Sequence, residues 1–290
     1  MRIGNKQLLF VAGAIVLSAI LYLAPKQLSK VEGKTEVAPM GFTFEGLLSL
    51  AKNQLKRQES EPIRLVENSL LKDTTNTLLL DSLGRLWDQA QFPVISSHYF
   101  EAIAKLKPDE KNWINAAYRY FDAFKSTGDS TLRKVMVESA IASYKKVLEI
   151  NPKNLDAQTD LGVCYAEGTG NPMQGILMLR EVVKENPEHE SAQFNLGILS
   201  VKSGQMEKAV ERFEKVLLIN PKRLEARYIL GQTYMKLGNN EKALLNLEQV
   251  KKESSDPQLN QEVNSLISQI NNPVSYTHLR ANKTVLDLVC

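Results

Sequence analysis

The chain has 290 residues, 43% of them hydrophobic and 24% charged, which is ordinary for one large or two small folded domains. Fifteen Gly, 11 Pro and two Cys exclude collagen-like, disulfide-framework and wholly disordered classes. A net charge of +3, spread along the chain, argues against a nucleic-acid surface, and three His (His98, His189, His278) leave little material for metal or general-base chemistry.

At the N-terminus, seventeen residues without a charge, Leu8 to Ala24, lie between Lys6 and Lys26. They give roughly 26 Å of helix, enough for a span whose flanking lysines snorkel. A cleaved signal peptide is the competing reading, but its cleavage site is normally small-x-small, and Tyr22 sits at the −3 position before Ala24. The expectation is therefore an N-terminal tail (1–7), a retained transmembrane signal-anchor (8–24) and a polar linker (25–41). Arg2 and Lys6 before the span nearly balance Lys26, Lys30 and Lys34 after it. A short N-terminal tail usually stays cytoplasmic, which puts the rest of the chain outside; a cytoplasm-facing chain is the alternative.

Residues 42–57 and 62–73 read as two amphipathic helices, the first with Leu47, Leu48, Leu50, Ala51 and Leu55. Within 42–76 they form a cap or a degenerate repeat. Beyond them a period appears. Pro108, Pro152, Pro187 and Pro221 are 44, 35 and 34 residues apart. Leu-Gly pairs recur at Leu83-Gly84, Leu161-Gly162, Leu196-Gly197 and Leu230-Gly231, and an aromatic follows the glycine by three at Trp87, Tyr165 and Tyr234, with Ser200 the exception.

Each unit holds two helix-length segments with apolar residues at i, i+3, i+4 and i+7, such as Val210, Phe213, Val216 and Leu217. Glycine lets paired helices approach closely, alanine (Ala140, Ala209, Ala243) does the same on the second helix, and proline ends it. One such pair cannot bury its apolar face alone, so pairs must stack. Two-residue alternation is absent, so no sheet is expected.

These residues carry a resemblance to the tetratricopeptide repeat (TPR) family. The clearest unit is 190–223, with Leu196-Gly197, Gly204, Ala209, Phe213 and Pro221 in register. Unit 224–257 has Leu247 in place of the aromatic, and unit 155–189 has one extra residue in its Gly168–Pro172 turn. Unit 77–110 has Ser96 for alanine. Unit 111–154 lacks Leu-Gly and carries about ten extra residues around Gly128 to Lys134. The resemblance implies an all-α fold, a TPR-like helical-hairpin solenoid over 77–257, closed by a capping helix at 258–271 (Leu259, Val263, Leu266, Ile270).

The last segment reads differently. Val274 to Thr284, VSYTHLRANKT, closely resembles the conceptual translation of a sequencing adapter, so 272–290 is expected to be a non-native tail. Cys164 would then be the single native cysteine.

Catalytic signals are weak. Gly168-x-Gly170 with Gly175 follows a helix and lacks the spacing of a nucleotide loop. Cys164 has no His near it in sequence, and Glu211/Lys215 is helix-surface support. No catalytic residue, metal ligand or cofactor is expected. The family resemblance implies binding through a concave groove lined by Thr159 and Val163, by Phe194, Ile198 and Val201, and by Tyr228, Gln232 and Met235, with Glu167, Lys202 and Lys236 at the rim. The positions of the family's carboxylate clamp hold Thr159, Val163, Ser191, Asn195, Glu225 and Ile229; only Asn195 fits. The resemblance thus implies a non-catalytic, membrane-tethered scaffold for a protein partner with apolar anchors, with no nucleic acid and no small-molecule substrate. The alternative is a regulatory or targeting subunit that positions a cell-envelope enzyme. The anchor-plus-array layout is similar to TPR proteins of the Gram-negative envelope, which implies the bacterial inner membrane with the repeats in the periplasm, or secretion there after signal cleavage.

Overall fold

The computed structural model describes residues 43–272. Two compact units divide the chain, Met1–Gly46 and Leu47–Cys290, and the packing below belongs to the second. Among the described residues there are thirteen helices and no strand. They are α1 (Phe44–Gln54), α2 (Arg57–Leu70), α3 (Thr77–Gln89), α4 (Pro93–Leu106), α5 (Glu110–Ser126), α6 (Ser130–Ile150), α7 (Leu155–Gly168), α8 (Pro172–Glu185), α9 (Glu190–Lys202), α10 (Met206–Ile219), α11 (Leu224–Lys236), α12 (Asn240–Glu253) and α13 (Pro257–Asn271). The predicted span Leu8–Ala24, the linker 25–41 and residues 273–290 lie outside the described residues. No described helix is long and apolar enough to cross a membrane.

Local chemistry sets the helix ends. The side chains of Asn76, Asp109, Asp129, Asn154, Asn239 and Asp256 accept backbone N–H groups of the first turns of α3, α5, α6, α7, α12 and α13. Pro93, Pro172 and Pro257 occupy first-turn positions, where a missing N–H costs nothing. Helix α2 starts earlier than the predicted residue 62. Glu59 accepts the Lys56 N–H at 2.9 Å and so nucleates a turn upstream, leaving Pro62 inside the helix. The turns inside the α9/α10 and α11/α12 hairpins use Gly204 and Gly238 at φ 75° and 74°. The same turn between α3 and α4 places Gln91 at φ 63°, a conformation that a residue with a Cβ adopts only under strain.

Five hairpins follow one another: α3/α4, α5/α6, α7/α8, α9/α10 and α11/α12. Each second helix packs on the first helix of the next hairpin, and first helices also meet directly at α5/α7 and α7/α9. The extra residues near Gly128 do not form a loop: α5 has 17 residues and α6 has 21, against 14 each in α7 and α8. They carry apolar side chains at helical spacing, and Leu132, Met136 and Val137 bury them against Phe124 and Tyr144.

The core is a row of local clusters. Tyr120, Phe124, Tyr144, Leu161 and Cys164 join α5, α6 and α7. Val163, Leu179, Val182 and Leu196 join α7, α8 and α9. Phe194, Phe213, Val216, Leu230 and Tyr234 join α9, α10 and α11. Leu247, Val250 and Val263 fix α13 onto α12. Close approach is tightest between α7 and α8. A Cβ on Gly175 would sit 2.1 Å from the Gly162 carbonyl oxygen and 2.5 Å from the Ala166 nitrogen. Glycine is therefore the one residue that fits where three of the other hairpins carry alanine and one carries Ser96, and the sequence reading of Gly175 as part of a weak glycine motif misses this packing role.

Polar staples repeat along the stack. An acidic residue in the first turn of one first helix meets the residue that starts the next. Glu110 accepts from Asn151 (3.0 Å) and Asn154 (2.6 Å). Asp156 pairs with His189 Nε2 at 3.2 Å, and Glu190 accepts from Asn220 (3.2 Å) and Arg223 (2.7 Å). Asn151 and Asn220, each just before one of the periodic prolines, thus supply a donor to two of the staples.

Candidate partner-binding site

The eight predicted groove residues divide by burial. Thr159 is 0%, Val163 8% and Phe194 6% exposed, whereas Ile198, Val201, Tyr228, Gln232 and Met235 are half-buried. The Thr159 hydroxyl turns back to donate to the Leu155 carbonyl at 2.8 Å. Val163 belongs to the core with Leu179 and Leu196. Phe194 is covered from two sides. The Phe213 ring meets it edge-on at 5.7 Å, and the Arg223 guanidinium lies 3.8 Å from its centroid while bound to Glu190 at 2.7 Å. The staple that joins α9 to α11 is thus the lid on Phe194.

What remains accessible is a shorter stripe on α9 and α11. Ile198, Val201 and Met235 pack against the Phe194–Phe213 core. Tyr228 and Met235 also touch the cluster under α13, and Tyr228 donates to Glu262 Oε2 at 3.2 Å. The capping helix therefore takes up the C-terminal edge of the stripe. Burial, and then the Glu262 carboxylate beside it, push the Tyr228 phenol up.

A charged ladder borders the stripe. Glu167, near the end of α7, accepts from Lys125 of α5 and from Lys202 of α9, the latter at 2.6 Å. Burial works to raise the Glu167 carboxyl, but the hydrogen bonds from the two ammonium groups outweigh it and hold it below the usual range. Each lysine stays about half exposed while Glu167 is largely covered, so the ladder presents positive charge outward. Lys236 continues the row on α11 and is exposed. Lys125 is the member that sequence reasoning missed, because the long α5 and α6 shift the register of that hairpin.

The titratable residues singled out earlier have structural partners. Cys164 is buried, and burial pushes its thiol up, so it is a poor nucleophile. The Tyr144 hydroxyl donates to Asp160 Oδ2 at 3.1 Å, with burial raising the Asp160 carboxyl. His189 caps α9 by accepting the Ala192 N–H on Nδ1 at 3.3 Å, which leaves Nε2 to donate to Asp156. The His98 ring meets Tyr99 edge-on at 6.1 Å. Among the described residues no group of three or more His, Cys, Asp or Glu is placed to hold a metal.

Two family models match, both described as tetratricopeptide repeat: one over residues 200–270 and one over 136–154. No curated protein matches the chain. Among solved structures, the APC/C hetero-tetramer Cut9-Hcn1 is similar over 93% of this chain at 18% identity, with a TM-score of 0.52, and this chain spans 47% of that one. That likeness shows the fold alone. YrrB, described as a TPR protein with an unusual peptide-binding site, is 19% identical over 69% of this chain and 97% of its own, with a TM-score of 0.42. A thermophilic TPR protein of Thermus thermophilus, TTC0263, is 17% identical over 67% of this chain and 100% of its own, with a TM-score of 0.48.

Proposed function

We propose that this tetratricopeptide repeat chain is a non-catalytic scaffold that docks a protein partner on the face formed by α9 and α11 and bordered by the lysine ladder. A stack of helical hairpins supports protein interaction in general. The observation that carries the finer reading is the half-exposed stripe Ile198, Val201, Gln232 and Met235 beside Lys125, Lys202 and Lys236. Apolar side chains there offer anchor pockets, and the lysines select a segment with acidic flanks. In the family resemblance, this is the concave side. Thr159, Val163 and Phe194 shape it from beneath rather than touch the partner. The uncharged run Leu8–Ala24 supports tethering to a membrane, and the repeats then face the periplasm, where the array holds its partner near the bilayer.

The test is crosslinking and capture from native membranes, using the full chain beside the triple variant Ile198→Ala, Gln232→Glu, Lys236→Glu and a control, Lys251→Glu, on exposed α12. All three should show equal helicity. Partners retained by the control and lost by the triple variant support the reading. An identical captured set for all three refutes the face, and a chain that washes free of membranes refutes the tether.

A further inference from the structure

The ring that follows the packing glycine is missing once. Trp87, Tyr165 and Tyr234 occupy that position in their helices, and α9 has Ser200. In α7 and α11 the ring meets a side chain of the preceding second helix. Lys145, twenty residues before Tyr165, holds its Nζ 5.9 Å from the ring centroid. Tyr234 donates to Glu214, again twenty residues before it, and Lys242, eight residues after it, donates to the same hydroxyl at 3.4 Å.

The counterparts around Ser200 are Arg180, twenty before, and Lys208, eight after. Both line a cavity of about 300 Å³ that Ser200 also borders. The serine does not reach across, because its hydroxyl donates to the Leu196 carbonyl at 2.8 Å. Ile176, Leu196 and Leu199 contribute the apolar wall. Arg212 is there too, donating to Gln193 at 2.7 Å, and Glu211 is the single acidic residue of the lining. Where α3, α7 and α11 hold a ring, α9 borders a hollow with an apolar wall on one side and a polar rim of three cations, one anion, Ser203 and Gln205 on the other. Ser200 lies roughly 200° around α9 from Ile198, so the hollow opens away from the stripe.

We propose that this cavity receives an aromatic ring bearing a carboxylate, the ring taking the space of the absent tyrosine and the carboxylate pairing with Arg180 and Lys208. Guanidinium and ammonium groups recognise a carboxylate by charge-assisted hydrogen bonds, and the guanidinium also stacks on a ring face. That chemistry has two sources: the C-terminal phenylalanine or tyrosine of a partner protein, or a free aromatic acid.

The test is calorimetric titration of the full chain with phenylacetate, with a short peptide ending in free phenylalanine, and with the same peptide ending in phenylalaninamide. Binding of either carboxylate probe, with the amide at least about tenfold weaker, is the expected result. Phenylacetate and the free peptide binding equally well assigns a free aromatic acid; binding of the peptide alone assigns a protein C-terminus. Ser200→Tyr should fill the hollow and abolish binding. Arg180→Gln with Lys208→Gln, at exposed positions, should weaken it by tenfold or more and decides the matter if the tyrosine variant misfolds. No binding at ~5 mM of any probe, or full binding by Ser200→Tyr, overturns the proposal.

Discussion

Replacing Gly175 by alanine adds one methyl group at the tightest crossing in the array. By helix propensity alone the change should stabilise α8 by about 1 kcal/mol. The packing works against it. The new Cβ would lie 2.1 Å from the Gly162 carbonyl oxygen, 2.5 Å from the Ala166 nitrogen and 2.8 Å from the Ala166 Cβ. Two of these atoms are backbone and cannot rotate away, and ordinary contact needs roughly 3.5 Å. Helices α7 and α8 must therefore part by about 1 Å, which loosens Leu179 and Val182, both fully buried between them. Overpacking of this kind costs about 1–3 kcal/mol and occasionally more. Because two of the clashing atoms are backbone, the upper end of that cost applies, and the net expectation is a loss of about 2 kcal/mol, or roughly 4–8 °C in Tm for a chain of this size. Thermal unfolding followed by circular dichroism measures it. Gly128→Ala is the control, since a Cβ there meets nothing within 4 Å, and it should leave Tm unchanged or slightly raised. A Gly175→Ala protein as stable as the natural one would show that the α7/α8 crossing is not held at the described distance.

Gln91→Gly should stabilise the chain by about 1 kcal/mol, seen as a higher urea midpoint, because the φ of 63° strains a residue with a Cβ; an unchanged midpoint would remove the strain. Glu167→Gln should alter the acid limb of the stability curve. The Glu167 carboxyl is held below its ordinary 4.5, so its contribution is present above that value and lost as pH falls through the lowered one. The natural chain should therefore outlast the variant at neutral pH, with the gap closing as pH falls below the ordinary carboxylate range and through the lowered one; a gap independent of pH would sink the linkage. Cys164 should resist a thiol reagent in the folded chain and react at once in denaturant, given its buried and raised thiol. Tyr234→Phe should cost about 1 kcal/mol for the lost bonds to Glu214 and Lys242, read from chemical denaturation.

The hairpin period was legible because it is written in residues whose backbone roles are rigid. Glycine marks the close crossing in four of the five hairpins, Asn-Pro marks the exit from three second helices, and from Gly162 and Pro152 onward both recur at 34–35 residues. Burial of the groove candidates was not legible. Phe194 lies at a lining position by the family pattern, yet Arg223, 29 residues on, folds over it, and nothing in the sequence tells that arginine from its exposed neighbour Lys222. Gly175 was misread for the opposite reason. A glycine beside a Gly-x-Gly turn suggests a loop, and its role depends on a carbonyl from the preceding helix. Ser200 was visible as an exception to the pattern, but the hollow beside it depends on Arg180 and Lys208, which gain meaning only when second helices are laid side by side.

The division of the core into neighbour-to-neighbour clusters has a kinetic consequence. Apart from Leu47 of α1, which packs against the α5–α7 cluster, the buried residues of each apolar cluster belong to neighbouring hairpins, so loop closure costs little at most steps. As the chain leaves the ribosome, each new hairpin meets a finished surface on the one before it. The last surface is the exception. Leu247 and Val250 stay open until α13 emerges and seats Val263 on them, so a chain that stops short of residue 257 leaves that apolar surface exposed.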